Sequence, residues 1–346
     1  MLMERAASNL PSVRTRAQFA DAAEKLLSLA ALGFAIELVF FKFLPDVSTA
    51  FIQHSQSALT DFAQFEREYL TPGSVHHARF LGNYILYCLA GLLTVVYHST
   101  DPRLHPLRVA AGILTPCYAY IGVHFVLRDR AGLAWRCFMA LYALVVLMGL
   151  YVFYPADMPS LAFLSVALCL LLHERMLAAL VAMLVIGLFR ETSFHVVWFV
   201  AAWAWFQGSR GWRERAAWLA AFALAFVLEY VTIRHFFPGP VSSAGGLILD
   251  PRVLFLDRGL MSLTTICSLG LAVLFPLACL VRIRDIDSAD WRRGFFAINA
   301  YAFAAWIVFY RMMNGNLSEF RLLFPVILPC IYGIAYGAKW RDGKRE

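Results

Sequence analysis

The sequence predicts an all-α protein, a polytopic transmembrane bundle of about 10–11 helices, with a long first non-cytoplasmic loop carrying an amphipathic helix. Three observations predict it. First, 61% of the 346 residues are hydrophobic and 15% are charged, whereas soluble domains run at roughly 45–50% and 25%. Second, apolar runs recur from residue 25 to residue 338. Third, the basic residues sit in short clusters between those runs, which is the charge pattern of cytoplasmic loops. The clusters are Arg210, Arg213, Arg215; Arg282, Arg284, Arg292, Arg293; and Lys339, Arg341, Lys344, Arg345. A net charge of +7 spread in this way does not make a nucleic-acid surface.

Residues 1–24 form a polar tail with Arg5, Arg14 and Arg16. No small-residue cleavage site follows the first apolar run, so that run is expected to be a retained helix. The expected spans are 25–45, 80–97, 109–127, 137–154, 160–173, 177–190, 194–207, 216–236, 259–281, 294–311 and 320–338. Several are short, which suits helices that start and stop at a membrane-embedded cavity. The basic loops 208–215 and 282–293, and the tail 339–346, belong in the cytoplasm. The tail 1–24 does too, and this puts loops 46–79 and 237–258 on the extracytoplasmic side. Eleven crossings cannot leave both termini on one side. Residues 109–127, which contain Gly112 and Thr115-Pro116 between two basic loops, are therefore expected to form a re-entrant or broken helix. All of 25–338 reads as a single transmembrane domain.

In the first loop, Phe51, Ala58, Phe62, Phe65 and Tyr69 mark an interfacial amphipathic helix, which Thr71-Pro72-Gly73 ends. The seven cysteines, Cys88, Cys117, Cys137, Cys169, Cys267, Cys279 and Cys330, contain no CxxC pair, and they read as small apolar packers. Trp198, Trp203 and Trp205 read as an interface belt.

Ionisable groups at membrane depth are costly and usually face a cavity or a partner. On this topology they gather at the extracytoplasmic ends. Asp46 follows the first span, as a general base or as a helix-end charge facing water. His76, His77 and Arg79 open the second span. There Arg79 can fork onto a phosphate or anchor at headgroups, and adjacent histidines make a poor metal motif. Arg190-Glu191-Thr192 joins two spans, with His195 one turn after Glu191. It is an anion site or a structural Arg–Glu pair. Glu319 and Arg321 start the last span, which Pro325 and Pro329 kink. Glu229, with Arg234 and His235, is a buried pair or part of a cavity wall, and Asp157 reads as a turn residue in PADMPS.

The order of these parts resembles the GT-C-type polytopic glycosyltransferases. The resemblance rests on a first span followed by a long loop with an early acid, Asp46. It rests also on PADMPS before an apolar run that ends in His173-Glu174-Arg175. LAALVAMLVIGLFRETSF follows with its charged pair, and NLSEFRLLFPVILP supplies an E-x-R start to a late helix. The resemblance implies transfer of a sugar from a polyprenyl-phosphate donor to a glycan, lipid or protein acceptor at the outer face of a plasma membrane, the inner membrane of a bacterium. In that reading Asp46 deprotonates the acceptor hydroxyl, and Arg190, Arg321 or Arg79 receives the departing phosphate, with Glu191, Glu319, His76 and His195 around them. Some enzymes of this kind also use a divalent metal, Mg or Mn. A transporter or flippase of a lipid-linked or anionic solute, a polysaccharide polymerase, and an assembly subunit are the competing readings.

Overall fold

The structure, a computed structural model, describes residues 58–72, 80–99, 104–124, 155–237, 263–312 and 324–343. Among them every regular element is helical. In chain order the helices are α1 (Phe62–Phe65), α2 (Phe80–Val96), α3 (Pro106–His124), α4 (Asp157–Leu172), α5 (Met176–Phe189), α6 (Phe194–Phe206), α7 (Trp212–Phe236), α8 (Leu263–Arg282), α9 (Trp291–Met312) and α10 (Phe324–Gly343). Eight of the expected spans, 80–97, 109–127, 160–173, 177–190, 194–207, 216–236, 259–281 and 294–311, lie within a few residues of α2, α3, α4, α5, α6, α7, α8 and α9. The first span, the span 137–154 and, beyond Phe237, the loop 237–258 lie outside the described residues.

The core is built around α4. Its buried side chains run from Asp157 to Leu172 on every face, so it is an interior helix. α3, α5, α6 and α10 pack on it. The main apolar cluster joins Leu164, Leu168 and Leu171 of α4 to Met183 of α5, Phe199 and Trp203 of α6, Phe295 and Phe296 of α9, and Ile327 and Ile331 of α10. Trp203 is thus a core residue, while Trp205 is 81% exposed. The expected tryptophan belt is divided between the interior and the surface.

One end of this bundle gathers the basic loops. Arg292, at the start of α9, donates to the Leu172 carbonyl at the end of α4 at 2.9 and 3.2 Å. Arg210, between α6 and α7, pairs with Glu174, between α4 and α5, at 2.9 Å. A β-carbon on Gly337 of α10 would meet the Arg282 backbone at the end of α8. The carboxylates of Glu214 and Glu174 hold the Arg210 guanidinium above its ordinary range. Glu174 itself takes a left-handed backbone, φ 57°. It stands where a helix C-terminus usually places glycine, with its N–H on Leu171 and that of Arg175 on Leu170. Bonds from Gln207 and Arg210 to its carboxylate favour a side chain there.

A second, smaller core lies beside α2. The segment 58–70 lays Leu59, Phe65 and Tyr69 against Leu86 and Ala90 of α2 and Leu107, Ala110 and Ala111 of α3. The amphipathic pattern expected for this segment is present, and its apolar face packs on protein. Asn83 donates to the Tyr69 carbonyl at 3.1 Å, and Tyr87 bonds Glu66. Five residues, Glu66–Leu70, continue α1 as a π-turn. α3 is unbroken through Thr115-Pro116. It links the two cores, because Tyr118 packs on Phe189 and the Gly122 carbonyl accepts from Ser165.

Glycine 91 sits within α2 with nothing within 4 Å of where a β-carbon would stand. Gly91→Ala is therefore expected to stabilise the protein by about 0.5–1 kcal/mol through helix propensity. A thermal or chemical melt of the purified protein checks this, and a loss of stability would show that the position is occupied by something beyond this chain.

One helix among the described residues, α7, is long and apolar enough to cross a membrane. Its 25 residues span about 37 Å, more than the roughly 30 Å of a hydrocarbon core. Yet only 6% of its apolar window is buried. Leu224, Val227, Leu228 and Val231 all face outward. The outer sides of α5 and α8 show the same habit at Leu177, Val181, Leu274 and Leu277.

Candidate functional site

The site stands at the end of the bundle opposite the basic loops, where α4 starts and α5 ends. The N-terminus of α4 places Asp157 in its first turn, where the helix dipole favours a carboxylate. At the same end of the α4–α5 hairpin, α5 stops at Phe189 and Arg190 turns into an extended conformation. The Arg190 guanidinium then reaches back to form an ion pair with the Asp157 carboxylate. Both residues are buried, at 9% and 4% exposure.

Hydroxyl groups continue this polar seam. Ser160 lies one turn into α4, on the same face as Asp157, and its Oγ is 2.6 Å from the Thr192 Oγ1. Thr192 belongs to the 3₁₀ turn Glu191–Ser193, which carries the chain from α5 into α6. The carbonyl of Thr192 accepts from His195 Nδ1 at 3.0 Å. A proton on Nδ1 leaves Nε2 as an acceptor. His195 is buried among Phe194 and Trp306, and its Nε2 has no hydrogen-bond partner in the described structure.

A small crevice opens on the α7 side of the same turn. Gly187, Ser193, Phe226, Glu229, Tyr230, Ile233 and Arg234 line it. The Glu229 carboxylate lies over Gly187, where a β-carbon would overlap it. Arg234 holds its guanidinium 5.5 Å from the centre of the Tyr230 ring.

Of the residues singled out in the sequence, Arg190, Glu191 and His195 fall in this one turn region. Asp46, His76, Arg79, Glu319 and Arg321 lie outside the described residues. The partner of Arg190 is Asp157, a residue that reads in the sequence as part of a simple turn. A signal for it exists in the chain. Asp157 and Arg190 are nearly equidistant from the His173–Arg175 turn, so an antiparallel α4–α5 hairpin brings them level. Ser160 and Gly187 carry no local signal, because their roles come from neighbours on other helices.

Among the described residues no three His, Cys, Asp or Glu side chains are grouped to hold a metal ion. The buried Asp157 carboxylate is engaged by Arg190, so the described residues do not fit a divalent ion. What the arrangement can do is hold a cation and a carboxylate in fixed register beside hydroxyls and an imidazole acceptor, in a water-poor setting where each hydrogen bond is strong.

No protein-family model matches the chain, and neither a curated protein nor a solved structure matches it.

Proposed function

We propose that the protein is a multi-pass membrane glycosyltransferase that moves a sugar from a polyprenyl-phosphate donor to an acceptor on the extracytoplasmic side. The observation that carries the membrane part is the outward-facing apolar surface of α7, a helix of bilayer length with 6% of its apolar window buried. Soluble surfaces rarely expose so large a contiguous apolar patch. What supports the chemistry is the buried polar seam of Asp157, Ser160, Arg190, Thr192 and His195 at the end away from the arginine-rich loops. With those loops in the cytoplasm, that end meets the outer leaflet, where a lipid-linked donor presents its phosphate.

In this reading Asp46 accepts the proton of the acceptor hydroxyl as the new glycosidic bond forms, and the lipid phosphate leaves with the electron pair. Arg79 and Arg321 supply charge to the departing phosphate. Arg190, already paired with Asp157, acts as a positioning residue that holds the turn carrying Thr192 and His195. The expected result is transfer of sugar from a polyprenyl-phosphate donor by protein reconstituted in liposomes, with Asp46→Asn reducing turnover at least about a hundredfold while the protein still folds and binds donor. Full transfer by Asp46→Asn would remove that residue from its role. Absence of any transfer, with no isoprenoid lipid co-purifying, would remove the sugar-transfer reading.

A transporter or flippase is the second reading, and the crevice at Glu229 on the bilayer-length helix favours it. Movement of a labelled lipid between leaflets without covalent change would decide for it.

A further inference from the structure

We propose that Glu229 takes up one positive charge from outside the chain, a proton or a monovalent cation, in a lipid-side crevice that it forms with Gly187 and Ser193. The inference goes beyond sugar transfer and holds under either reading of function, needing only that α7 lie in the membrane.

Three observations meet at this residue. Glu229 is an acid within the helix that turns Leu224, Val227, Leu228 and Val231 outward. The missing side chain of Gly187 provides the space that its carboxylate fills. Ser193 lines the crevice beside the carboxylate, and among the described residues the buried Oε2 has no hydrogen-bond partner. A carboxylate has room for about four donors. Leaving one oxygen bare in a low-dielectric setting is costly, and buried polar atoms without partners call for an explanation.

Among the described residues, the charged and titratable groups around it form no ion pair with this carboxylate. On α7, Arg234 lies over the Tyr230 ring. At the end of α5, Arg190 is committed to Asp157. On α6, His195 donates from Nδ1 to the Thr192 carbonyl. The crevice has room for an ion or a water molecule and is too small for a sugar ring. A small positive species therefore fits where an organic substrate does not.

A carbodiimide reports on such a group. The protonated carboxyl adds across one C=N bond of the reagent. Its oxygen bonds the central carbon and its proton moves to nitrogen. The adduct then rearranges to a stable N-acylurea with no leaving group and no redox change. The full chain in detergent or liposomes is treated with dicyclohexylcarbodiimide, and peptides are mapped by mass. Labelling is expected at Glu229 well ahead of the exposed Glu66 and Glu214, and it is expected to fall as pH rises and the reactive acid form is lost. Glu229→Gln abolishes that adduct. At fixed pH, protection by Na⁺ or K⁺ beyond matched choline identifies a cation, and a response to pH alone identifies a proton. Gly187→Ala, folded by melt, is expected to lower labelling by displacing the carboxyl. No adduct at Glu229 across the pH range, or equal labelling by a water-soluble carbodiimide, overturns the proposal.

Discussion

Arg190→Ala is expected to destabilise the protein by about 3–5 kcal/mol, the largest single-residue loss argued for this chain. The cause is less the loss of an attraction than the state of the partner left behind. Asp157 is 4% exposed and Arg190 is 9% exposed. With the guanidinium gone, the buried carboxylate loses the charge that Arg190 sets opposite it. Asp157→Ala takes the carboxylate away from the buried arginine and is expected to cost a similar amount. The double variant Asp157→Leu/Arg190→Met removes both charges and is expected to recover most of the loss, since a buried ion pair seldom outperforms an apolar replacement of similar volume. Reversible denaturation in mixed micelles measures all four corners of the cycle. Additive single and double effects would mean that the two side chains do not act as a pair. The same panel separates structure from chemistry. A double variant that regains stability but not activity places Arg190 in function as well as in folding.

Gly337→Leu is expected to cost about 3 kcal/mol or more, by overpacking a contact that has no side chain to yield. On α10, Gly333 and Gly337 lie one turn apart on a single face. A β-carbon at Gly333 would come 2.6 Å from Cys279 Sγ and 3.1 Å from the Phe296 ring. At Gly337 it would collide with the Arg282 backbone. Paired small residues at this spacing let two helices approach closely in a membrane, where packing rather than water expulsion drives association. A sulfur or a ring can shift, but a helix backbone cannot do so without moving α8. Gly333→Leu is therefore expected to be milder than Gly337→Leu. Gly208→Leu, at a position with nothing within 4 Å, is the matched control and is expected within about 0.5 kcal/mol of the parent. Parent-like melting of Gly337→Leu would show that α8 and α10 are not held at this distance.

Much of the helical framework is legible from apolar runs and their punctuation. The start of α4 at PADMPS, the stop after Phe189 and the restart at Phe194 follow from where polar residues interrupt the runs, because a helix in an apolar setting satisfies its own backbone wherever its side chains stay apolar. The grouping of basic loops at one end follows from alternation, since successive antiparallel helices return every second connection to the same side. Less legible was α3. Thr115-Pro116 reads as a break, yet the helix continues through it, held by packing on α4 and on the second core. The segment 58–70 reads as a surface helix for lipid, and its apolar face instead covers α2 and α3. Periodicity reveals which face is apolar and says nothing of what covers it.

By itself the sequence determined the helical class, the rough limits of the helices, the basic charge of one end and the suspicion that Arg190 and His195 matter. Only the tertiary structure decided that Arg190 pairs with Asp157, that Trp203 is core, that Gly187 makes room for Glu229 and that Gly333 and Gly337 admit α8. The physical reason is range. Helix formation is governed by residues three or four apart and by local apolarity, so it is written within each segment. A partner for a buried charge, or a neighbour for a missing β-carbon, depends on which helices come side by side, and this is set by the packing of the whole bundle.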